Sequence, residues 1–357
     1  MAKTRKKHWL FLGILFFLLY FFIAAQPIPK ETVLVPRWLT SLESGYPVNL
    51  GGQSTDTAAV PFRLGDRFGY FNDNGQFLLN RLRNGNISYS AWCWAEYEEI
   101  PLEIDVYDPA GQQLAVIDDP CGYPFFNEDH FYILGSEQNS VSSLDNRGNV
   151  LWSYDFPAPL TCIDSAAGLV FAGALDGSLD LLDASGSQIF SFEPGGSRLA
   201  VILGCAVSSD GSKLAVISGI DQQRFLLMEK AGDSYRVAYH QFLGTGFRRA
   251  VHIAFMDNDN KVIYERENGI GIYDIVSRTN FTADLEGKIS SFGCANQYLF
   301  VITSEAGNRK RFYCIKMPGA IILDAPFKSE AAFLECRNSG IYAGGDKSII
   351  SFEMVKK

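Results

Sequence analysis

An all-β propeller is the fold this sequence predicts, and three observations carry it. From about residue 62 onward, short β-rich runs alternate with Gly-containing turns, and no helical stretch interrupts them. A turn of the form D-x-x-G recurs at a nearly constant interval. The interval is about 40 residues with four strands per unit, which is the repeat of a propeller blade. The composition agrees: 357 residues, 47% of them hydrophobic, fill a large core, and 33 Gly against 14 Pro suit many tight turns.

The elements follow in chain order. Residues 1–8 form a basic flank containing Lys3, Arg5, Lys6 and Lys7. Trp9 to Ala25 then runs uncharged for 17 residues, at the lower end for a spanning helix. With basic residues on the cytoplasmic side, the expected arrangement is a single-pass signal anchor over 9–25. The N-terminus would be cytoplasmic and the rest extracytoplasmic, in the periplasm. A cleaved signal peptide is the alternative, although Ile23 matches the small-residue cleavage rule poorly. Residues 26–60 carry Pro27, Pro29, Pro36 and Pro47 and read as a linker to a propeller over 61–357.

Self-comparison sets the blade register. Gly168–Phe192 reads strand, turn, strand, turn, strand, and related segments begin at Phe131, Ser212, Lys261, Tyr298 and Gly340. The turn after the third strand is Asp108-x-x-Gly111, Asp145-x-x-Gly148, Asp183-x-x-Gly186, Glu229-x-x-Gly232, Asp274-x-x-Ser277 and Lys316-x-x-Gly319. Five of these six keep a Gly, as a hairpin turn with φ > 0 requires. With Glu353 as the last third-strand end, seven four-stranded blades are predicted, and six or eight stay open. An upstream strand at Gln76–Asn80, after Asn72-Asp-Asn-Gly75, is expected to complete the last blade and remove the exposed sheet edge.

Two stretches resemble known repeat families. Leu144-Asp-Asn-Arg-Gly-Asn-Val-Leu-Trp152 is similar to the repeat of quinoprotein-like (PQQ-type) propellers, which pairs a D-x-x-G turn with a docking Trp. Ala206-Val-Ser-Ser-Asp-Gly-Ser-Lys-Leu214 resembles the entry of WD40-like blades. The shared grammar covers roughly residues 62–353. Only Trp152 fills the docking position; its equivalents are Leu114, Phe190, Tyr235, Phe281 and Ile322. A quinoprotein resemblance implies repeated docking tryptophans, calcium and a vicinal Cys-Cys pair, and this chain has no Cys-Cys. PQQ-type repeat proteins also include outer-membrane assembly scaffolds, which implies a protein partner in the cell envelope.

Five of the seven cysteines recur with the repeat: Cys121, Cys162, Cys205, Cys294 and Cys336. Ala254 fills the place in the omitted blade. Cys or Ala at one position of the innermost strand reads as a small buried residue where inner strands crowd. A ring of thiols binding a soft metal or sensing redox is the functional counterpart. Equivalent atoms of adjacent blades are expected to lie too far apart for a disulfide.

Other motifs are sparse. No metal-ligand spacing is found among the histidines, and Phe255-Met-Asp-Asn-Asp-Asn lacks the Gly and Glu of a calcium loop. No nucleophile elbow, P-loop or dinucleotide fingerprint occurs. No catalytic, cofactor-binding or metal-binding residue is therefore expected. Trp92, Trp94, Glu96, Tyr97 and Glu98 gather aromatic and acidic groups into a candidate interaction surface. Arg248 and Arg249 form a basic spot in an acidic chain of net charge −9. That charge argues against nucleic-acid binding. The expected function is a non-catalytic interaction scaffold. The alternative is a channel-site enzyme or ligand binder, favoured if ionisable groups converge at the channel mouth.

Overall fold

A computed structural model describes residues 2–24, 32–43, 47–49, 58–127, 130–244, 246–337 and 340–356. Ala25 and linker residues 26–31, 44–46 and 50–57 lie outside the described residues. Residues 1–35 and 353–357 form one compact unit, and residues 36–352 form the other.

Eight antiparallel sheets follow one another along the chain, so the propeller has eight blades and not the predicted seven. Blade 1 is described with three strands, Val60–Leu64, Arg67–Phe71 and Phe77–Leu82. Blades 2 to 7 have four each, and their innermost strands are Asn86–Tyr89, Gly122–Asn127, Leu160–Ala166, Ile202–Val207, Ile253–Met256 and Lys288–Ala295. Blade 8 combines Ala332–Arg337, Gly340–Gly345 and Ser348–Lys356 with Thr32–Ser41 and the short Pro47–Asn49.

The predicted ring closure is therefore corrected. Gln76–Asn80 lies in the outer strand of blade 1, paired with Arg67–Phe71. The strand that completes blade 8 is Thr32–Ser41. Pro36, which argued for a linker, precedes the stretch Trp38–Thr40 that pairs with 47–49.

The turn chemistry holds in blades 1 to 4, whereas Gly319 of the Lys316-x-x-Gly319 turn is not among the glycines at positive φ. Asp108 Oδ1 accepts the N–H groups of Ala110 and Gln112, both at 2.8 Å. Asp145 and Asp183 cap their own turns in the same way. Asn72 does so in blade 1. Gly75, Gly111, Gly148 and Gly186 all sit at φ between +79° and +92°, a backbone conformation that favours glycine.

Trp152 docks as the resemblance implies. Its Nε1–H donates to the Ala184 carbonyl at 3.0 Å, and a Cβ on Gly186 would lie 2.6 Å from its ring. Trp38 repeats this contact where the ring closes. Its Nε1–H donates to the Asp73 carbonyl at 2.7 Å, and a Cβ on Gly75 would lie 2.6 Å away. Trp38 packs with Phe62, Phe71, Phe333 and Tyr342 in the core joining blades 8 and 1. Similar clusters join the other blades.

The predicted membrane anchor is also corrected. Ala2–Ala24 is helical, but no helix among the described residues is long and apolar enough to cross a membrane. At 1.5 Å per residue the uncharged run spans about 26 Å, short of a hydrocarbon core of about 30 Å. The single-pass topology, the cytoplasmic N-terminus and the periplasmic placement that rested on it are withdrawn.

Candidate protein-docking groove

A groove of about 540 Å³ opens on blade 2, against the outer strand of blade 1. Its carboxylates are Glu96, Glu98, Glu103 and Asp105, facing the single guanidinium of Arg81. Ile100 and Leu102, on the loop between the second and third strands of the blade, are 82% and 80% exposed. The groove thus combines an exposed apolar pair with an excess of negative charge.

The floor is rigid. Trp94 is buried, stacked on Tyr107 with centroids 4.6 Å apart, and its Nε1–H donates to the Asp108 carbonyl at 2.9 Å. The Arg81 guanidinium lies 5.4 Å from the Trp94 centroid, a cation–π contact. Tyr107 donates its hydroxyl proton to Asp105, which also accepts from Gln113 at 2.6 Å. Glu96 is half-buried and accepts the backbone N–H groups of Asn84 and Gly85. Its role is to hold the loop entering blade 2, which leaves Glu98, Glu103, Ile100 and Leu102 to meet a ligand.

The structure divides the predicted surface residues. Trp94, Glu96, Tyr97 and Glu98 line the groove. Trp92 does not; it stacks on Phe131 at 4.9 Å and 9°, in the core between blades 2 and 3. Arg248 and Arg249 lie elsewhere, on the connection from blade 5 to blade 6. Arg248 is exposed. Arg249 is held by Glu265, whose two oxygens accept at 2.5 and 3.0 Å, and its guanidinium covers the Phe247 ring. Ile100 and Leu102 escaped the sequence reading, although an Ile-Pro-Leu run directly after Glu98-Glu99 was a visible signal.

The cysteine ring resolves into pairs. Cys162, Cys205, Cys294 and Cys336 lie on innermost strands of blades 4, 5, 7 and 8, and Ala254 lies on that of blade 6. Cys121 is exposed and sits just before its strand. All seven thiols are free. The Cys162 thiol interacts with that of Cys205 and, with burial, pushes the latter's pKa well up. Burial pushes Cys294 up to about 12. It also raises Cys336, helped by the neighbouring Cys294. Cys162 with Cys205, and Cys294 with Cys336, are thus neighbours across adjacent blades.

Ionisable groups do gather on the inner strands of blades 8, 1 and 2. Burial raises the Glu335 carboxyl, opposed by Arg337. Burial likewise raises the Tyr89 hydroxyl, with Arg63 opposing and Glu335 reinforcing. Among the described residues no group of three or more His, Cys, Asp or Glu side chains could hold a metal ion.

Comparison with known proteins places the chain. A family model described as a beta-propeller protein matches residues 1–357. The chain belongs to that family. An uncharacterized protein of Treponema pallidum (strain Nichols) is 29% identical over 317 residues, covering 87% of this chain and 84% of the relative. Among solved structures, BamB from Moraxella catarrhalis superposes with a TM-score of 0.59 at 14% identity, covering 90% of this chain and 100% of that one. The computationally designed Ika8 protein gives 0.60 at 15% identity, covering 85% and 98%. A chain of the Mitotic Checkpoint Complex gives 0.56 at 14% identity, covering 87% and 97%. At these identities the structural likeness establishes the propeller fold.

Proposed function

We propose that this propeller is a non-catalytic scaffold whose blade 2 groove docks a basic, apolar-containing segment of a partner protein. The observation that carries the reading is the exposed Ile100–Leu102 pair set among four carboxylates on a rigid aromatic floor. The apolar pair gains by leaving water. The carboxylates select cationic flanks and speed encounter at low salt. That a propeller of similar fold is a chain of the Mitotic Checkpoint Complex supports a protein-binding role. An envelope protein is the first partner class to test, as the PQQ-type resemblance implies.

The test is a fluorescence-polarisation titration with peptides that alternate Lys or Arg with Leu, against acidic peptides of the same length. Binding of the basic set, weakened by salt and by Glu98→Lys with Glu103→Lys, supports the reading. Equal binding of both sets overturns it.

A second reading draws on Glu335, Arg63 and Tyr89, which lie on the inner strands of blades 8, 1 and 2 and suit a small polar ligand. A thermal-shift screen of anionic and sugar ligands, with Glu335→Gln as control, separates the two readings.

A further inference from the structure

The inner strands of blades 4 and 5 are stitched together at both ends. Thr161 donates its hydroxyl proton to the Ile202 carbonyl at 2.5 Å. Two residues past Cys162, Asp164 Oδ2 accepts the Val207 N–H at 2.8 Å. Cys205 lies two residues before Val207, so Cys162 and Cys205 occupy matched positions between the two stitches. Cys162 lies between Thr161 and Asp164, both of which bond to blade 5. Cys162 packs on the core cluster that contains Cys205, whose thiol donates to the Phe171 carbonyl at 3.5 Å. Both cysteines line a cavity of about 540 Å³ bordered by the inner strands of blades 4 to 7.

From this geometry we infer that Cys162 and Cys205 are an oxidisable pair that forms a disulfide joining blades 4 and 5. Cys162 is the more exposed and reacts first. Its thiol and hydrogen peroxide give the sulfenic acid and one water. The Cys205 sulfur then attacks the Cys162 sulfur. The S–S bond forms, the S–O bond breaks, and the hydroxyl leaves with the Cys205 proton as a second water. The two sulfurs are oxidised by two electrons and the peroxide is reduced by two. The neighbouring Cys162 thiol and burial together raise the Cys205 pKa, which slows the second step. The cross-link fixes the spacing of two blades whose cores already interlock.

The experiment uses the full chain, reduced and then treated with hydrogen peroxide, alkylated and digested without reduction. The expected product is a Cys162–Cys205 peptide pair lighter by two hydrogens, with two fewer of the seven thiols alkylated. Reductant restores both thiols, and the oxidised form melts at a higher temperature than the reduced form. Cys162→Ser abolishes the cross-link and leaves Cys205 alkylatable, while Cys294→Ser leaves the cross-link intact. Cys162 found as sulfinic or sulfonic acid beside an untouched Cys205 thiol overturns the inference. So does a dominant cross-link between other cysteines. The peptide map of the unmutated chain decides the matter even where a variant fails to fold.

Discussion

Removing the Trp38 ring tests how the propeller is closed. Trp38 is buried, touches Phe71 at 5.6 Å and Tyr342 at 6.0 Å, and donates to Asp73 at 2.7 Å. Trp38→Ala leaves a ring-sized cavity between blades 8 and 1, and such truncations cost about 3–5 kcal/mol. Trp152→Ala removes the same type of contact between blades 3 and 4. There the ring is partly exposed, so about half that loss is expected, in proportion to the buried area. Trp38→Phe keeps much of the packing and forfeits chiefly the N–H bond, for about 1 kcal/mol. The assay is urea unfolding followed by circular dichroism, with the slope checked for constancy. A Trp38→Ala loss below about 1 kcal/mol, or a larger loss for Trp152→Ala, refutes the closure argument.

Three further outcomes are expected. Arg249→Ala strands the Glu265 carboxylate, which is 2% exposed, and should cost about 3–5 kcal/mol in the same unfolding assay, against little for Arg248→Ala. Asp145 and Asp183 are held below the usual carboxylate range by hydrogen bonds, led by those from Asn149 and Ser185. A depressed folded pKa gives stability that is complete above the unfolded value and lost as pH falls through the folded one. The urea midpoint should therefore drop below about pH 4, and Asp183→Asn should flatten that drop with little effect at pH 7, since Asn72 already caps an equivalent turn. Gly75→Ala, which adds a clash with the Trp38 ring to the strain of φ +79°, should lower the thermal midpoint far more than Gly232→Ala, which carries a similar φ of +69° but meets nothing within 4 Å.

The repeat was legible because its signal is local. Asp and Gly at fixed spacing encode a turn whose hydrogen bonds close within five residues, and those turns stand where the sequence placed them. Ring closure was not legible because it is long-range. Trp38 meets a turn 35 residues away and shares a strand with Pro36, so its flanks read as linker. The Asn72–Gly75 turn was recognised, but it belongs to a blade of its own, which moved the count from seven to eight. In the candidate site, Trp92 stands in the bend before the strand and stacks on Phe131, while Trp94 starts the strand and stacks on Tyr107, so their closeness in sequence hid two different surroundings. The Ile-Pro-Leu run at 100–102 was readable as apolar, but its place beside Arg81 and the blade 2 carboxylates follows only from the packing of blades 1 and 2.

The measurement that bears most directly on the docking account is site-specific photo-crosslinking in cells. A photoreactive residue replaces Leu102 in the groove, and another replaces Val276, which is 77% exposed on blade 6. The account predicts one dominant protein adduct from position 102, absent from position 276 and lost when Glu98→Lys and Glu103→Lys are added. No adduct at 102, or the same adduct at both positions regardless of groove charge, would contradict it.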